Sequence, residues 1–242
     1  MESFVASRAQ YKYAYSMRDF TSVVIPEGVT SIGYMAFEEC HNLESIVIPD
    51  SVTSIEYSAF ERCGSLKNII IPSSVREIGM GAFIFCSSLE EIVLPEGLSD
   101  IKTATFRECV KLEKVVLPQS LQTIGPSAFW NCSKLRDINI PNGVTTISSS
   151  AFHGCCTLSK IVIPSGVSII EEDTFRKCSG LKDVVINEGV EEIGNLAFAE
   201  CTSLKSITIP DSVKKISASA FQGCCDLLIN RGGLIERFGD TN

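Results

Sequence analysis

The sequence predicts a single repeat solenoid of nine coils, and three periodicities carry that prediction. Cysteine stands at 40, 63, 86, 109, 132, 155, 178, 201 and 224, each 23 residues after the last. Phenylalanine keeps the same step from Phe37 to Phe221, always behind an Ala or a Thr. Proline keeps it from Pro26 to Pro210, with Asn187 in the one gap. A fixed period in the range of roughly 20–50 residues means stacked units that cannot bury their apolar faces alone.

One copy reads Leu43-x-x-Ile46-x-Ile48-Pro49-x-x-Val52-x-x-Ile55-x-x-x-Ala59-Phe60-x-x-Cys63. Ile46 and Ile48 have period two, so they predict a short strand with both side chains on one face. Pro49 has no N–H to give and ends that strand. Asp50-Ser51 here, and Glu27-Gly28 or Asn142-Gly143 in other copies, supply turn chemistry. Val52 and Ile55 predict a second extended stretch. Phe60, Cys63 and Leu66 are three apart and predict a helical or 3₁₀ turn. At the ~4.8 Å spacing of paired strands, nine coils span about 40 Å.

The repeats occupy residues 20–226 without an insertion. Residues 1–19 read as an N-terminal cap holding a decayed copy, Tyr13-Ala14-x-x-Met17-x-x-Phe20. Residues 227–242 read as a C-terminal cap, with Leu234, Ile235 and Phe238 laid over the last coil.

The pattern LxxIxIPxxVxxIgxxAFxxC resembles the BspA-like leucine-rich repeat. That resemblance implies the α/β leucine-rich-repeat class in a β-rich form. It also implies a right-handed, curved superhelix whose sheet is built from the IxIP segments. Members are mostly adhesins and host-interaction proteins without enzymatic activity, on the surfaces of bacteria and some protists. Cell-surface placement is the expectation if the chain is a fragment. As it stands the sequence shows no signal peptide, wall-sorting motif or anchor, and reads as cytoplasmic.

Composition narrows the function. The net charge is -8, so a phosphate backbone is repelled on average and nucleic acid is not an expected partner. No window approaches 18 uninterrupted apolar residues, so membrane insertion is not expected either. Histidines number two, His41 and His153. Ladder sulfurs about 5 Å apart exceed the ~3.8 Å Cβ–Cβ separation of a disulfide. Zinc needs four converging ligands, which a single file does not provide. The ladder cysteines are therefore expected as buried, reduced, small hydrophobes, with Cys156 and Cys225 more exposed. His153-Gly154-Cys155-Cys156 suggests Cys–His chemistry, but Cys155 belongs to the inward ladder and His153 is expected as a solvent-facing loop residue. No catalytic residue, metal ligand or cofactor is assigned, and the chain is read as non-enzymatic.

Exposed apolar residues are the remaining signal. The residue between the two inward strand positions is Val24, Val47, Ile70, Val93 and Val116 in the first five coils, then Asn139, Val162, Val185 and Thr208. Strand alternation turns this column away from the core. Tyr34, Tyr57 and Met80 share another column in adjacent coils, and Phe85 and Trp130 occupy columns after the core Phe where other copies carry Glu, Arg or Lys. These residues are the candidate partner-binding set, for a protein partner or for self-association. The competing accounts are β-propensity for the valines and packing between loops for the aromatics. The functional reading is a protein-interaction or adhesion-type module, and the alternative is a structural spacer with no specific ligand.

Overall fold

The computed structural model describes residues 19–237, and each 23-residue copy closes one coil of a β-solenoid. Two short strand segments recur along the coils. The first is the IxIP strand, beginning with Ser22–Val24 and Ser45–Val47, which pair in parallel with Val23 beside Ile46. The second holds the residues before the turn, as in Ser31–Ile32, Ser54–Ile55 and Glu77–Ile78, again parallel and in register. Between them the Pro49 carbonyl accepts the Val52 N–H at 3.1 Å, closing the corner that the missing proline N–H begins.

The first ladder is interrupted. Asn68 and Asp137 make only isolated bridges to Glu91 and Lys114, so the third and sixth coils contribute no strand on this face. The second ladder runs in groups of three coils.

The third segment departs from the expected helical or 3₁₀ turn, and among the described residues no helix forms there. Ala59, Glu61 and Cys63 do donate N–H groups three residues back, to Glu56, Ser58 and Phe60, at 3.1–3.3 Å. Ser58, Phe60 and Arg62, between them, donate instead to Met80, Ala82 and Ile84 of the next coil at 2.8–3.0 Å. That alternation requires left-handed backbone at Ser58 (φ 49°) and Arg62 (φ 59°), and at their counterparts along the chain, for example Glu108 and Lys177. A non-glycine residue in this region costs roughly 1–2 kcal/mol. At Ser58, Arg62, Glu108 and Lys177 a bond to the neighbouring coil offsets it, so about half the turn's donors hold coils together rather than winding a helix.

The core is a stack of columns. Phe37 to Phe221 form nine buried rings, centroids 5.3–5.5 Å apart and within 11° of parallel. Among the described residues the eleven cysteines form no disulfide, and the nine of the ladder are buried. Each ladder thiol from Cys63 to Cys224 donates to the carbonyl of the phenylalanine 26 residues earlier, for example Cys63 to Phe37 at 3.1 Å and Cys132 to Phe106 at 3.1 Å. A small apolar side chain with one weak donor fits this position, because each such carbonyl would otherwise hold one bond only. Serine ties the corners: Ser51 Oγ accepts the Gly28 N–H at 3.1 Å and donates to the Val29 carbonyl at 2.8 Å.

The ends differ from the expectation. The decayed motif at Tyr13 to Met17 lies outside the described residues, and Phe20 stands 40% exposed. At the other end Leu227 is still buried, one period after Leu204. Leu228–Arg231 then pairs in parallel with Ser206–Ile209 and turns back through Gly232-Gly233 into the antiparallel Leu234–Arg237. Leu234 and Ile235 do not cover the last coil: they stand 70% and 67% exposed on this hairpin, because its second strand extends the sheet sideways. Phe238 lies outside the described residues.

Candidate interaction surface

Alternation along the IxIP strand sends its middle residue outward, and the whole column is exposed. Val24, Val47, Ile70, Val93 and Val116 stand 54%, 59%, 82%, 52% and 39% exposed, and Val162 and Val185 continue the stripe beyond Asn139. Ile70 is the most open because its coil has no strand pairing at that position. Around it Asn68, Ile70, Glu91, Val93, Glu96 and Val116 border a shallow groove of about 530 Å3.

Tyr34, Tyr57 and Met80 are exposed on a different segment, just after the second strand. The two tyrosine rings stack at 5.2 Å and 13°, so part of each ring is taken up by packing on the other. Phe85 is 38% exposed, with the Arg62 guanidinium 5.5 Å from its ring centre. Neither set lines the groove at Ile70. The candidate residues therefore divide into a valine stripe on the sheet and an aromatic edge on the turns.

Trp130 is half-buried. His153 stacks on one face at 3.9 Å and 1°, and Arg107 lies over the ring, its guanidinium 5.0 Å from the centroid. His153 is not the solvent-facing residue expected from its loop: it is buried, 8% exposed, because the tryptophan of the preceding coil covers it. Among the described residues its Nδ1 has no hydrogen-bond partner. Burial lowers its pKa below the ordinary value, with Asp173 acting in the opposite direction. Cys155 is fully buried and points into the ladder. Desolvation pushes the thiols of Cys86, Cys132 and Cys178 well up, so they are poor nucleophiles. Cys156 and Cys225 are the exposed thiols.

Among the described residues no three His, Cys, Asp or Glu side chains converge as a metal-holding group, and no helix is long and apolar enough to cross a membrane. Surface charges pair between coils, as in Arg136–Glu113 at 3.5 Å, Lys214–Glu191 at 3.1 Å and Lys215–Glu192 at 2.7 Å. Exposed pairs of this kind contribute about 0–1 kcal/mol each. Sequence reasoning found the stripe but missed the terminal hairpin, whose signal was Gly232-Gly233 between two apolar runs.

A family model described as BspA type leucine rich repeat region matches residues 9–133 and 99–228, in six copies. The chain is similar to a solved leucine rich cell surface protein from Faecalibacterium prausnitzii, with 31% identity and a TM-score of 0.52. That match covers 92% of this chain and 62% of the other. A leucine rich repeat protein of T. pallidum is 30% identical with a TM-score of 0.52, covering 76% of this chain and 78% of that one. A leucine-rich repeat protein from Bacteroides ovatus is 29% identical over 86% of this chain and 78% of its own, with a TM-score of 0.49. No curated protein matches the chain.

Proposed function

The chain belongs to the BspA-type leucine-rich repeat family, whose repeats generally serve as protein-interaction scaffolds, and on that footing we propose that it binds a protein partner through its valine stripe. One observation carries the reading: five successive coils present Val or Ile outward on a face where half-solvated sheets place polar residues, and all five stand well exposed. β-Propensity accounts for a valine at any one rung but not for an unbroken run beside a groove. The module acts by adhesion rather than catalysis, with no cofactor, and the aromatic edge of Tyr34, Tyr57, Met80 and Phe85 is a secondary contact. The Faecalibacterium relative is described as a cell surface protein, which supports a surface placement here.

The test is a Val93→Lys, Val116→Lys double variant. Both side chains are exposed, so fold and melting point stay within the small range of ordinary surface changes, about 0.5 kcal/mol per site. Pull-down from the native source and sedimentation of the purified protein are then run on both forms. Loss of partner binding or of self-association supports the reading. Wild-type behaviour in both assays makes the stripe structural and leaves the spacer alternative standing.

A further inference from the structure

The stripe is not uniformly bordered. Along its first five coils Glu27, Asp50 and Glu96 line the side after the strand, and Glu44, Glu90, Glu91 and Glu113 the side before it. Lys67 and Lys114 are the only cations in those same columns. Glu91 pairs with Lys114 and Glu113 with Arg136. Glu27, Glu44, Asp50, Glu90 and Glu96 make no ion pair among the described residues. In the last four coils the balance is even: Arg136, Lys160, Lys182 and Lys205 face Asp137, Asp183, Glu188 and Asp211. Glu96 accepts the Gln119 N–H at 3.0 Å, and Arg76 reaches the same rim through the Ser73 carbonyl, so seven carboxylates stand against three cations. The half of the stripe without a polar break is the half with the acidic excess.

Spacing adds a second constraint. Successive rings of the phenylalanine column are 5.3–5.5 Å apart, and paired strands lie ~4.8 Å apart. Four steps from Val24 to Val116 therefore cover about 19–22 Å. A helix laid along the solenoid axis rises ~5.4 Å per turn, so four turns cover ~22 Å and set one apolar residue on each coil. An extended segment offers a same-face residue every ~6.7 Å, so four such steps cover ~27 Å and fall out of step by a whole coil.

Resting on the binding role proposed above, we infer that the partner element received by Val24 to Val116 is a cationic amphipathic helix of another protein. About 15 residues of it run along the solenoid axis. Its apolar residues at i, i+4, i+7, i+11 and i+14 meet the stripe, one on each of the five coils, and Lys or Arg on either side meets the carboxylate rims. The groove beside Ile70 takes the largest of the apolar side chains.

The test uses the full chain and three labelled synthetic peptides of equal length. The first has Leu at i, i+4, i+7, i+11 and i+14 with flanking Lys, the second replaces Lys by Glu, and the third scrambles the first into strict Leu–Lys alternation. Binding is read by fluorescence anisotropy and helix formation by circular dichroism, since a free helix this short is marginal in water. The lysine helix is expected to bind saturably, to gain helicity and to weaken as salt is raised. Glu90→Gln and Glu96→Gln are each expected to weaken it about two- to fivefold, and the Val93→Lys, Val116→Lys variant by more than about tenfold. No binding of the lysine helix, equal binding of the glutamate peptide, or tighter binding of the alternating peptide overturns the inference. So does a dimer in sedimentation that the double lysine variant dissolves, which assigns the stripe to a second copy of the chain and leaves the binding role intact. Failure of the binding role itself is read separately, without peptides, from a double variant that behaves as wild type in pull-down and sedimentation.

Discussion

Replacing Phe129 by Ala tests whether the coils are coupled only to their neighbours. The ring is fully buried and stacks on Phe106 at 5.4 Å and on Phe152 at 5.3 Å. Loss of a buried Phe side chain costs about 3–5 kcal/mol, cavity included. Within that figure each stacked pair contributes about 0.5–1.5 kcal/mol. Phe129→Ala and Phe152→Ala separately remove two stacks each, but they share one. The double variant therefore loses three stacks, and its cost falls short of the sum of the singles by about 0.5–1.5 kcal/mol. Phe83 and Phe152 share no stack, so their double variant is additive within about 0.5 kcal/mol. Urea unfolding with linear extrapolation measures all five variants. Equal coupling in the adjacent and the separated pair refutes the nearest-neighbour picture and with it the reading of the core as a stack.

Other outcomes follow from single features. Denatured protein titrated without reductant returns eleven thiols, whereas native protein reacts quickly at two, Cys156 and Cys225; a native count near eleven shows that the ladder is not closed. At Gly79 an added Cβ meets the Glu56 carbonyl carbon and the Tyr57 nitrogen at 2.5 Å, so Gly79→Ala costs about 2 kcal/mol or more by calorimetry, while Gly33→Ala, with open space at that point, is near neutral. His153 has a lowered folded pKa, so its contribution to stability is fully present above the unfolded value near 6.5 and is lost as pH falls through the folded value. The melting point therefore drops between pH 7.5 and 5.5, and His153→Gln flattens that drop; Trp130, the single tryptophan, reports the same transition in fluorescence.

The architecture was legible because the physics repeats nine times. Phe60, Cys63 and Leu66 recur in one register, and no chance packing keeps nine copies in step. The strand at Ile46 and Ile48, its stop at Pro49 and the outward valines were readable from alternation alone. What failed was local. A spacing of three suits a helix, but it suits equally a chain whose alternate residues bond sideways, and Arg62 or Lys177 carry no sequence mark of a left-handed backbone. His153 looked exposed because its burial depends on Trp130, 23 residues away, through a ring stack that no local pattern encodes. Asn68 and Asp137 foreshadowed the interruptions of the first ladder, being polar residues of low strand propensity at its pairing positions, but similar residues at Asp183 and Ser45 sit in intact strands. The carboxylate rims were visible as single columns and gained meaning when both sides of the stripe were considered together.

The sideways hydrogen bonds also bear on how quickly the chain folds. Those between coils join residues about 22–26 positions apart, as from Phe60 to Ala82 or Cys63 to Phe37. Against a length of 242 residues the relative contact order is about 0.1, the range of helical bundles rather than of β-sandwiches. A molecule made of strands thus escapes the slow search that distant strand pairing usually imposes. Once any two adjacent coils have closed, each later coil meets a finished template and adds itself in either direction. Stopped-flow refolding on the millisecond scale, with a rate little changed by deleting one whole 23-residue coil, is the kinetic signature of that growth; a rate in the range of seconds for the intact chain would contradict it.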